Sequence, residues 1–322
     1  MKALVTGGAG FIGSHLVDRL LRDGAEVVVY DNLSTGRREF LEDALSTGRC
    51  RLVEGDILDR PRLAESLDGC TLVAHFAANA DVRRGRDHPE RDLEQNALGT
   101  SSVLEAMRAA GVRRLLFAST GAIYGEPEVF PTPEDAPLPV QTSLYGASKL
   151  AAEGLISAYA HGFSFRASIF RFVSILGPRY SHGHVFDFVR KLLRDPHRVE
   201  VLGDGRQRKS YLHVGDCVDG ILRALGRDSD PDRGPVSIYN LGHADVCTVD
   251  DSLGWICRRL GVAPQRSYTG GARGWVGDSP LVHLDCARIR ALGFEPRHSI
   301  ASSVDATAGY LLDNRWLLDA RA

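Results

Sequence analysis

The stretch ALVTGGAGFIGSHLVDRLLRDG, residues 3–24, passes from a short apolar run through closely spaced glycines into an amphipathic segment. Gly7, Gly10 and Gly13 follow one another at three-residue spacing between the run and the segment. At a turn from a strand into a helix, glycines without Cβ atoms let a pyrophosphate approach the backbone, and the helix N-terminus adds partial positive charge. The position of these glycines therefore predicts a dinucleotide-binding turn, with a plain tight turn as the alternative.

The same alternation of apolar run and helix-like stretch continues along the first third of the chain. Further apolar runs lie at residues 26–31, 50–56, 71–78 and 114–120, and two later runs, at 165–172 and 236–242, are expected to extend the same sheet. Strands that are apolar on both faces and separated by crossover lengths indicate parallel βαβ units. The helix-like stretches at residues 11–24 and 92–111 are expected to stop at Gly24 and Gly111. The predicted fold class is α/β, with a Rossmann-type doubly wound parallel sheet and a smaller, mostly C-terminal α/β domain.

Composition excludes several classes of partner. The chain has 322 residues, 43% of them hydrophobic and 25% charged, with a formal net charge of -2, so no global field favours nucleic acid. The apolar run near the N-terminus is too short for a signal peptide, and no window is long enough to span a membrane. We therefore expect no nucleic-acid partner, no membrane partner and a cytoplasmic location.

Cysteine and histidine patterns do not point to a metal. The six cysteines include no Cys-x-x-Cys pair, which favours buried reduced thiols over a disulfide framework or a zinc site. His182 and His184 stand in the segment SHGH, where a polar loop is favoured over a metal site. No metal is expected.

Asp31 ends the second predicted strand, eighteen residues beyond Gly13. A carboxylate there can accept hydrogen bonds from the adenosine ribose hydroxyls and repel a 2′-phosphate, which favours NAD over NADP. Two alternatives stay open nearby. Arg37 and Arg38 either accommodate a phosphate or begin a solvated helix. Asp56 either reaches the adenine or caps the next helix, a role for which Asp59 is also suited.

Tyr145 and Lys149 form a Tyr-x-x-x-Lys pair in a helix-like segment. Residues four apart share one helix face, so the phenol and the ammonium can converge. The chain uses 35 arginines and four lysines, so arginine is its usual cation and a lysine here suggests a need for a compact ammonium beside the phenol. The alternative is a surface lysine on an amphipathic helix.

These motifs together resemble the extended short-chain dehydrogenase/reductases, and within them the NAD-dependent nucleotide-sugar epimerase/dehydratase group. The resemblance covers nearly the whole chain and is closest to the UDP-glucose (galactose) 4-epimerases. It is carried by the segments TGGAGFIGSH, DNLSTGRREF, HFAANADVR, STGAIYG, YGASK, RFVSILGPR, LGDGRQRKSYLHVGD and RGWVGD.

The resemblance implies a division of the chain and its partners. Residues 1–174, with a returning segment at about 211–242, would form the NAD-binding Rossmann domain. Residues 175–210 and 243–322 would form the substrate domain, which closes over a nucleoside diphosphate sugar. Similar proteins commonly pair the helices that hold DLEQNALGTSSVLEAM and YGASKLAAEGLISAY, which implies a homodimer.

The resemblance also implies the reaction. Thr120 would bind the sugar O4, Tyr145 would take its proton as a phenolate favoured by Lys149 and the nicotinamide charge, and hydride would pass from C4 to NAD and back. Similar dehydratases carry Asp-Glu at the next two positions and decarboxylases carry a Glu, because those reactions need an extra acid or base. Here the two positions are Gly121 and Ala122. The implied reaction is C4 epimerisation through a 4-keto sugar.

The implied binding residues form two sets. Cofactor contacts are expected from Gly7, Gly10, Phe11, Ile12, Gly13, Asp31, Asn32, Asp56, Ile57, Phe76, Ala77, Ala78, Asn96, Tyr145 and Lys149. Substrate contacts are expected from Arg83, Thr120, Tyr145, Ser174, Val185, Lys209, Tyr211, Arg273 and Asp278, with Arg179 as a further candidate for the pyrophosphate.

Three departures from the family pattern concern the substrate. Ser174 stands where relatives have an asparagine, and Lys209 replaces an arginine, which exchanges a bidentate phosphate contact for a point charge. The loop around Arg83 is rich in arginine and either is solvated or faces an acidic or modified sugar.

The alternatives to epimerisation are dehydration, net reduction or dehydrogenation of a nucleotide sugar, and dinucleotide sensing without catalysis.

Overall fold

The computed structural model of the protein describes residues 1–79, 88–138, 140–227, 234–275 and 278–319. Arg83, predicted to face the sugar, lies outside these ranges. The strands are, in chain order, β1 (Lys2–Thr6), β2 (Glu26–Asp31), β3 (Cys50–Glu54), β4 (Leu72–His75), β5 (Arg114–Thr120), β6 (Arg166–Phe172), β7 (Ser174–Leu176), β8 (Arg198–Val201), β9 (Arg208–Lys209), β10 (Tyr211–His213), β11 (Val236–Leu241), β12 (Cys247–Thr248), β13 (Gln265–Tyr268) and β14 (Leu281–Val282).

The helices connect these strands and cover them. In chain order they are α1 (Phe11–Arg22), α2 (Glu42–Ser46), α3 (Arg60–Ser66), α4 (Pro89–Asp92), α5 (Gly99–Ala110), α6 (Leu144–Phe163), α7 (His184–Arg194), α8 (Val214–Leu225), α9 (Val249–Leu260), α10 (Ala287–Arg290), α11 (Ile300–Asp313) and α12 (Trp316–Asp319). Two 3₁₀ turns, Arg38–Leu41 and Gly121–Tyr124, and a π-helical turn, Leu93–Leu98, complete the set in the described ranges. Within these ranges, no helix combines the length and the apolar character that crossing a bilayer requires.

Seven strands form one parallel sheet in the order β11-β6-β5-β4-β1-β2-β3. The seven apolar runs recognised in the sequence all lie in this sheet, so the predicted fold class is confirmed. The strand order reverses between β1 and β4, which opens a crevice at the carboxyl ends of the strands. The run at 71–78 leaves the sheet after His75, earlier than the sequence suggested, because residues 76–78 pass beneath the glycine turn.

Apolar side chains cover both faces of the sheet. One buried cluster includes Leu16 and Val17 of α1 with Ile221 of α8, and the other includes Leu104 of α5 with Ile156 of α6. The predicted helix stops are also confirmed, since Gly24 and Gly111 both have positive φ, 87° and 72°. The long helix expected before Gly111 is interrupted by the π-helical turn, which places Asn96 in the interior.

A third buried cluster holds the later elements together. It is built from α7, α9 and α11, through side chains such as Phe186, Ile256 and Leu311. Short strand pairs accompany it: β7 with β10, β8 with β13, and β9 with both β12 and β14. The domain boundaries at residue 174 and around 211–242 stay a prediction.

The six cysteine thiols are all free, and five of them are buried. This agrees with the prediction of reduced structural thiols.

Candidate active site

The glycine turn between β1 and α1 is packed too tightly for side chains. A Cβ on Gly7, whose φ is +68°, would lie 2.5 Å from the Ala77 backbone nitrogen, and one on Gly13 would lie 2.2 Å from the Gly7 carbonyl oxygen. A Cβ on Gly10 would meet only that same oxygen, at 3.1 Å. Gly7 and Gly13 therefore have no room for a side chain, and Gly10 makes one tight backbone contact.

The N-terminus of α1 fits a bound anion. Gly10 is its N-cap, no side chain among the described residues caps it, and its first turn contains no acidic residue. The N–H groups of this turn, together with the helix dipole, suit a pyrophosphate. Phe11 packs edge-on against Tyr180, and Ile12 is half-buried beside it in the sequence.

Asp31 lies at the end of β2, under the glycine turn. Its Oδ2 accepts from the Ala9 N–H at 3.0 Å, and its Oδ1 accepts from the Leu33 N–H at 2.9 Å. Burial raises the pKa of this carboxyl, and the two N–H donors oppose that effect. The two bonds fix the carboxylate at the crevice, where a ribose hydroxyl could donate to its remaining lone pairs.

The contacts of the neighbouring polar residues decide between the alternatives left open for the helix cap and for Arg38. Asp59 caps α3 by accepting from the Arg62 N–H, so Asp56 is not the cap. Asp56 instead accepts from the Asn32 amide at 2.9 Å and from the Leu58 N–H at 2.9 Å, and Ile57 between them is buried. Arg38 begins the first 3₁₀ turn, as the helix-start alternative predicted.

A chain of hydrogen bonds crosses the sheet behind the turn. The Ala77 N–H donates to Thr6 Oγ1 at 3.3 Å, and Thr6 Oγ1 lies 2.7 Å from His75 Nδ1. His75 Nε2 lies 3.0 Å from Thr100 Oγ1, which donates to the Asn96 carbonyl oxygen at 2.5 Å. Burial lowers the pKa of His75 to about 3, so the imidazole is neutral. The chain fixes residues 76–78, three of the predicted cofactor contacts, relative to Asn96.

Asn96 joins this region to the helix of the Tyr-Lys pair. Its Oδ1 accepts from the Asn79 N–H at 2.9 Å, and its Nδ2 donates to Ser148 Oγ at 2.9 Å. Ser148 in turn donates to the Tyr145 carbonyl oxygen at 2.9 Å. π-Helical turns often occur at functional sites, and this one brings Asn96 beside α6.

Thr120 and Tyr145 meet at the carboxyl end of β5. Thr120 Oγ1 accepts from the Ala122 N–H at 3.1 Å, and the Ser143 side chain caps α6 by accepting from the Gly146 N–H at 3.0 Å. A Cβ on Gly146 would lie 2.9 Å from the Ala122 carbonyl oxygen, so this glycine lets α6 begin against the 3₁₀ turn. The Thr120 hydroxyl is hydrogen-bonded to the Tyr145 phenol.

The protein's own groups raise the pKa of Tyr145 rather than lower it. Burial raises this pKa to about 12, although the Thr120 hydrogen bond opposes the rise. The Asp92 charge raises this pKa further, and Lys149, one of the two charges expected to favour the phenolate, does not contribute to the shift. The expected lowering therefore depends on charge that a bound cofactor brings.

Lys149 is enclosed one helical turn further along α6, with 2% of its surface exposed. Its ammonium donates to the Ala118 carbonyl oxygen at 2.8 Å and lies 4.6 Å from the centre of the Phe117 ring. Burial lowers the pKa of Lys149 to about 7, and Glu153 and Asp92 oppose that shift. Lys149 is therefore a buried group of the site, and the surface-lysine alternative is wrong.

A buried ion pair behind these residues escaped the sequence analysis. Arg171 Nη2 lies 2.8 Å from Glu153 Oε2, with both side chains under 7% exposed. Glu153 also accepts from Ser119 Oγ at 2.5 Å, and Arg171 Nη1 donates to the Tyr124 hydroxyl at 2.8 Å. Glu153 follows Tyr145 and Lys149 at four-residue steps on one face of α6, and that spacing was the available signal.

Three of the predicted substrate residues come together at a second place. Lys209 Nζ lies 2.5 Å from Asp278 Oδ1, and Arg273 Nη1 donates to the Asp278 carbonyl oxygen at 2.9 Å. The Lys209 ammonium also lies 4.7 Å from the centre of the Trp275 ring, and Arg273 Nη2 pairs with Glu126 at 2.8 Å. Two cations that meet at Asp278, one at its buried carboxylate and one at its backbone carbonyl oxygen, suit a diphosphate.

The remaining predicted substrate residues have different surroundings. Ser174 is exposed at the start of β7 and pairs in register with Tyr211 of β10. Tyr211 and Val185 are buried in the third cluster, with exposures of 3% and 0%. Arg179 pairs with Asp18 of α1 at 2.7 Å.

The histidines of the SHGH segment are used in packing. His184 Nε2 lies 2.8 Å from Ser252 Oγ, and burial lowers its pKa to about 3. In the described ranges, the grouping of three residues that could hold a metal consists of His213, Asp216 and His298, so it includes neither His182 nor His184.

The arrangement as a whole suits proton transfer to and from a hydroxyl beside a dinucleotide. A phenol, a threonine hydroxyl and an ammonium stand at the end of β5, while Gly121 and Ala122, the next residues, carry no acid or base.

Comparison with known proteins agrees with this description. Residues 3–242 match the model of the NAD dependent epimerase/dehydratase family. A UDP-glucose 4-epimerase of Mycolicibacterium smegmatis is 34% identical over 318 residues, covering 96% of this chain and 98% of the relative. A crystal structure of a UDP-galactose 4-epimerase is 38% identical with a TM-score of 0.87, covering 98% of this chain and 100% of the other. A double mutant of a dTDP-glucose 4,6-dehydratase of Streptomyces venezuelae, with NAD bound, is 30% identical with a TM-score of 0.89, covering 99% of each chain.

Proposed function

The chain belongs to the NAD dependent epimerase/dehydratase family, and within it we propose that the protein inverts C4 of a nucleoside diphosphate hexose of the UDP-glucose/galactose type. Its cofactor is NAD, and its activity is of the nucleotide-sugar epimerase/dehydratase kind. The reaction would pass through a transient 4-keto sugar.

One observation carries the proposal. The Thr120 hydroxyl is hydrogen-bonded to the Tyr145 phenol at the end of β5, and the two residues that follow Thr120 are Gly121 and Ala122. This set can move a proton on and off one hydroxyl, but it offers no further acid or base to an oxidised sugar. Return of the hydride is then the course left to the 4-keto sugar.

The residues have distinct proposed roles. Tyr145 takes the proton from O4 and later returns it, Thr120 bridges O4 and the phenol, and the Lys149 ammonium stabilises the phenolate. Bound NAD supplies the acceptor for the C4 hydride and gives the hydride back. Lys209 and Arg273 hold the diphosphate, so that the hexose is loosely held and can present either face.

The dinucleotide would be held by the glycine turn, by Asp31 and by the segments around Ile57, Ala77 and Asn96. The fit rests on the glycine turn without side chains, the start of α1 without a side-chain cap, and the carboxylate of Asp31. The glycine turn and the start of α1 favour a pyrophosphate, and the Asp31 carboxylate favours a ribose whose hydroxyls carry no phosphate.

Dehydration is the second candidate, since a dehydratase has a TM-score of 0.89 to this chain. It requires a base for the C5 proton and an acid for the departing C6 hydroxyl. Gly121 and Ala122 supply neither, which favours epimerisation.

We also propose a homodimer formed through α5 and α6. Ala151, Gly154 and Ala158 are exposed on one side of α6, and small residues there would let a second copy approach closely. Light scattering after size exclusion gives the mass directly, and a mass of one chain would reject the dimer.

A substrate panel tests the proposed reaction. The purified protein is incubated with UDP-, dTDP-, CDP- and GDP-hexoses without added cofactor, and the C4 epimers are separated. We expect one epimer to form from the other with no net NADH. Product that requires NADH in equal amount would mean a reductase, and a 4-keto-6-deoxy product would mean a dehydratase.

A further inference from the structure

Gly121, the residue after Thr120, is confined by two neighbours. A Cβ on Gly121 would lie 3.2 Å from the Phe172 carbonyl oxygen and 3.3 Å from Leu284 Cδ1, with Leu284 Cδ2 at 3.6 Å. Gly121 does not have positive φ, so its backbone alone would accept a larger residue. The restriction at this position comes from the space that Leu284 and Phe172 occupy.

Leu284 is fixed from several directions. It is 4% exposed and belongs to the same buried cluster as Ile123 and Val173. Thr132 forms a β-bridge with Leu284, through bonds from the Thr132 N–H to the His283 carbonyl oxygen and from the Asp285 N–H to the Thr132 carbonyl oxygen, both 2.9 Å. The bridge fixes the backbone of Leu284, and the packing of the buried cluster restricts its side chain.

The bridge is tied back to the turn that contains Gly121. Asn240 Nδ2 donates to the carbonyl oxygens of Thr132 and Asp285, both at 2.9 Å. Asn240 Oδ1 accepts from the Tyr124 hydroxyl at 2.8 Å, and Tyr124 ends the 3₁₀ turn Gly121–Tyr124. Gly121 and Leu284 thus face each other within one closed circuit of buried contacts.

The segment that carries Leu284 also reaches the candidate diphosphate site. Asp278, which gathers Lys209 and Arg273, lies six residues before it, and Val282 of β14 pairs in register with Lys209. Residues 278–284 therefore extend from the candidate diphosphate site to the hydroxyl end of β5.

We propose that Leu284 is a specificity-determining residue, which keeps the position beside Thr120 closed to acid or base groups and to water. The inference rests on the proposed epimerase function. The Leu284 side chain fills the space that a side chain at position 121 would enter. Among the described residues, this pair therefore offers no group that can take the C5 proton of a 4-keto sugar or protonate a departing hydroxyl. Without such a group, return of the hydride to C4 is favoured over elimination.

A double-mutant cycle tests the steric pair without any substrate. The variants are Gly121→Ala, Leu284→Ala and the two combined, each followed by thermal unfolding of the full chain. We expect Gly121→Ala to lower the Tm by several degrees in the wild type, because the new methyl group overpacks against Leu284. In the Leu284→Ala background only the tight contact with the Phe172 carbonyl oxygen remains, so the same substitution should lower the Tm by less than it does in the wild type.

Leu281→Ala is the matched control, since Leu281 is on the same segment but pairs with Arg208. It should not alter the effect of Gly121→Ala. An equal loss of Tm in both Leu284 backgrounds, or equal rescue by Leu281→Ala, would overturn the pairing. Leu284→Val replaces Leu284→Ala if the latter fails to fold, and should give partial rescue.

The reaction itself is tested with the sugar that the panel identifies. Leu284→Ala should leave several-fold more enzyme in the NADH form, read at 340 nm. Water admitted beside Thr120 can take the C5 proton, and a 4-keto sugar that then eliminates its C6 hydroxyl does not take the hydride back at C4. An unchanged ratio of epimer to NADH would overturn the role in specificity. A third result is possible, in which the Tm effects of the two substitutions depend on each other but the protein epimerises no sugar. This result would support the steric contact between Gly121 and Leu284, and it would reject both the proposed function and the role of Leu284 in specificity.

Discussion

The Lys149 ammonium donates to the Ala118 carbonyl oxygen at 2.8 Å, so the cation of the candidate site is held by the backbone of β5. Burial lowers the pKa of Lys149 from its ordinary value of 10.5 to about 7. The unfolded chain therefore binds one more proton than the folded chain between these two pH values, and this difference makes the free energy of unfolding rise with pH across that window.

Lys149→Met should remove this dependence. Between pH 7 and pH 9, the free energy of unfolding of the wild type should rise relative to that of the variant by about 2 kcal/mol. Urea unfolding of both proteins at the two pH values measures the difference. Parallel pH dependence would show that Lys149 keeps its ordinary pKa in the folded protein.

Tyr145→Phe removes the hydroxyl that is hydrogen-bonded to Thr120. Because it deletes the proposed acid and base, turnover should fall by about 10²- to 10⁴-fold. NAD should remain bound, which absorbance after protein precipitation would establish. Tyr159→Phe, which removes a hydroxyl of the same helix that donates to Glu105, is the control and should keep its activity. Retained turnover in Tyr145→Phe would remove Tyr145 from the mechanism.

Asp31→Asn should weaken NAD binding and reduce the preference for NAD over NADP. The amide keeps one acceptor for the Ala9 and Leu33 N–H groups, whereas the carboxylate offers two oxygens and a negative charge. We expect the Kd for NAD to rise on the order of 10-fold in calorimetry. Asp59→Asn, which alters a helix cap, is the matched control, and an unchanged cofactor preference in Asp31→Asn would contradict the role of Asp31.

Lys209→Met should raise KM by about 10- to 100-fold with little change in kcat, because it removes a charged contact to the diphosphate rather than to the reacting carbon. Lys209→Arg should retain most of the affinity. Lys191→Met is the control, since Lys191 donates to the Glu200 carbonyl oxygen at the surface. An equal KM for Lys209→Met and wild type would place the diphosphate elsewhere.

Glu153→Gln breaks the buried pair with Arg171. It leaves an uncompensated guanidinium inside the protein, which should cost about 3–5 kcal/mol of the free energy of unfolding. Asp305→Asn, which breaks the exposed pair with Arg259, should cost less than about 1 kcal/mol. Urea unfolding of both variants measures these losses. Similar losses would mean that the buried pair stabilises the protein no more than an exposed pair does.

Much of the fold could be predicted because its signals are local. The central strands are apolar on both faces, the glycine spacing stands at a strand end, and Gly24 and Gly111 stop helices where the sequence suggested. Tyr145 and Lys149 were found for the same reason, since i and i+4 lie on one face of a helix.

Other features depend on contacts that leave no local pattern. Leu284 faces Gly121 across more than 160 residues of sequence, and neither residue differs from an ordinary turn glycine or core leucine until the chain has folded. The sequence also does not predict the π-helical turn around Asn96 or the two-residue strands β9, β12 and β14. These elements follow from packing rather than from a periodic pattern of residues. The direction of the Tyr145 pKa shift depends on burial, which the sequence does not give.

The last strand of the central sheet has a consequence for how the chain is made. Strand β11 pairs with β6 along six residues, yet it follows β6 only after the whole of β7 to β10 and α7 to α8. During synthesis on the ribosome the unpaired edge of β6 stays open until residue 241 has emerged, and open edges of this kind recruit other chains. A nascent fragment that stops near residue 174 should therefore aggregate or need a chaperone, whereas one that extends beyond Leu241 can close its own sheet.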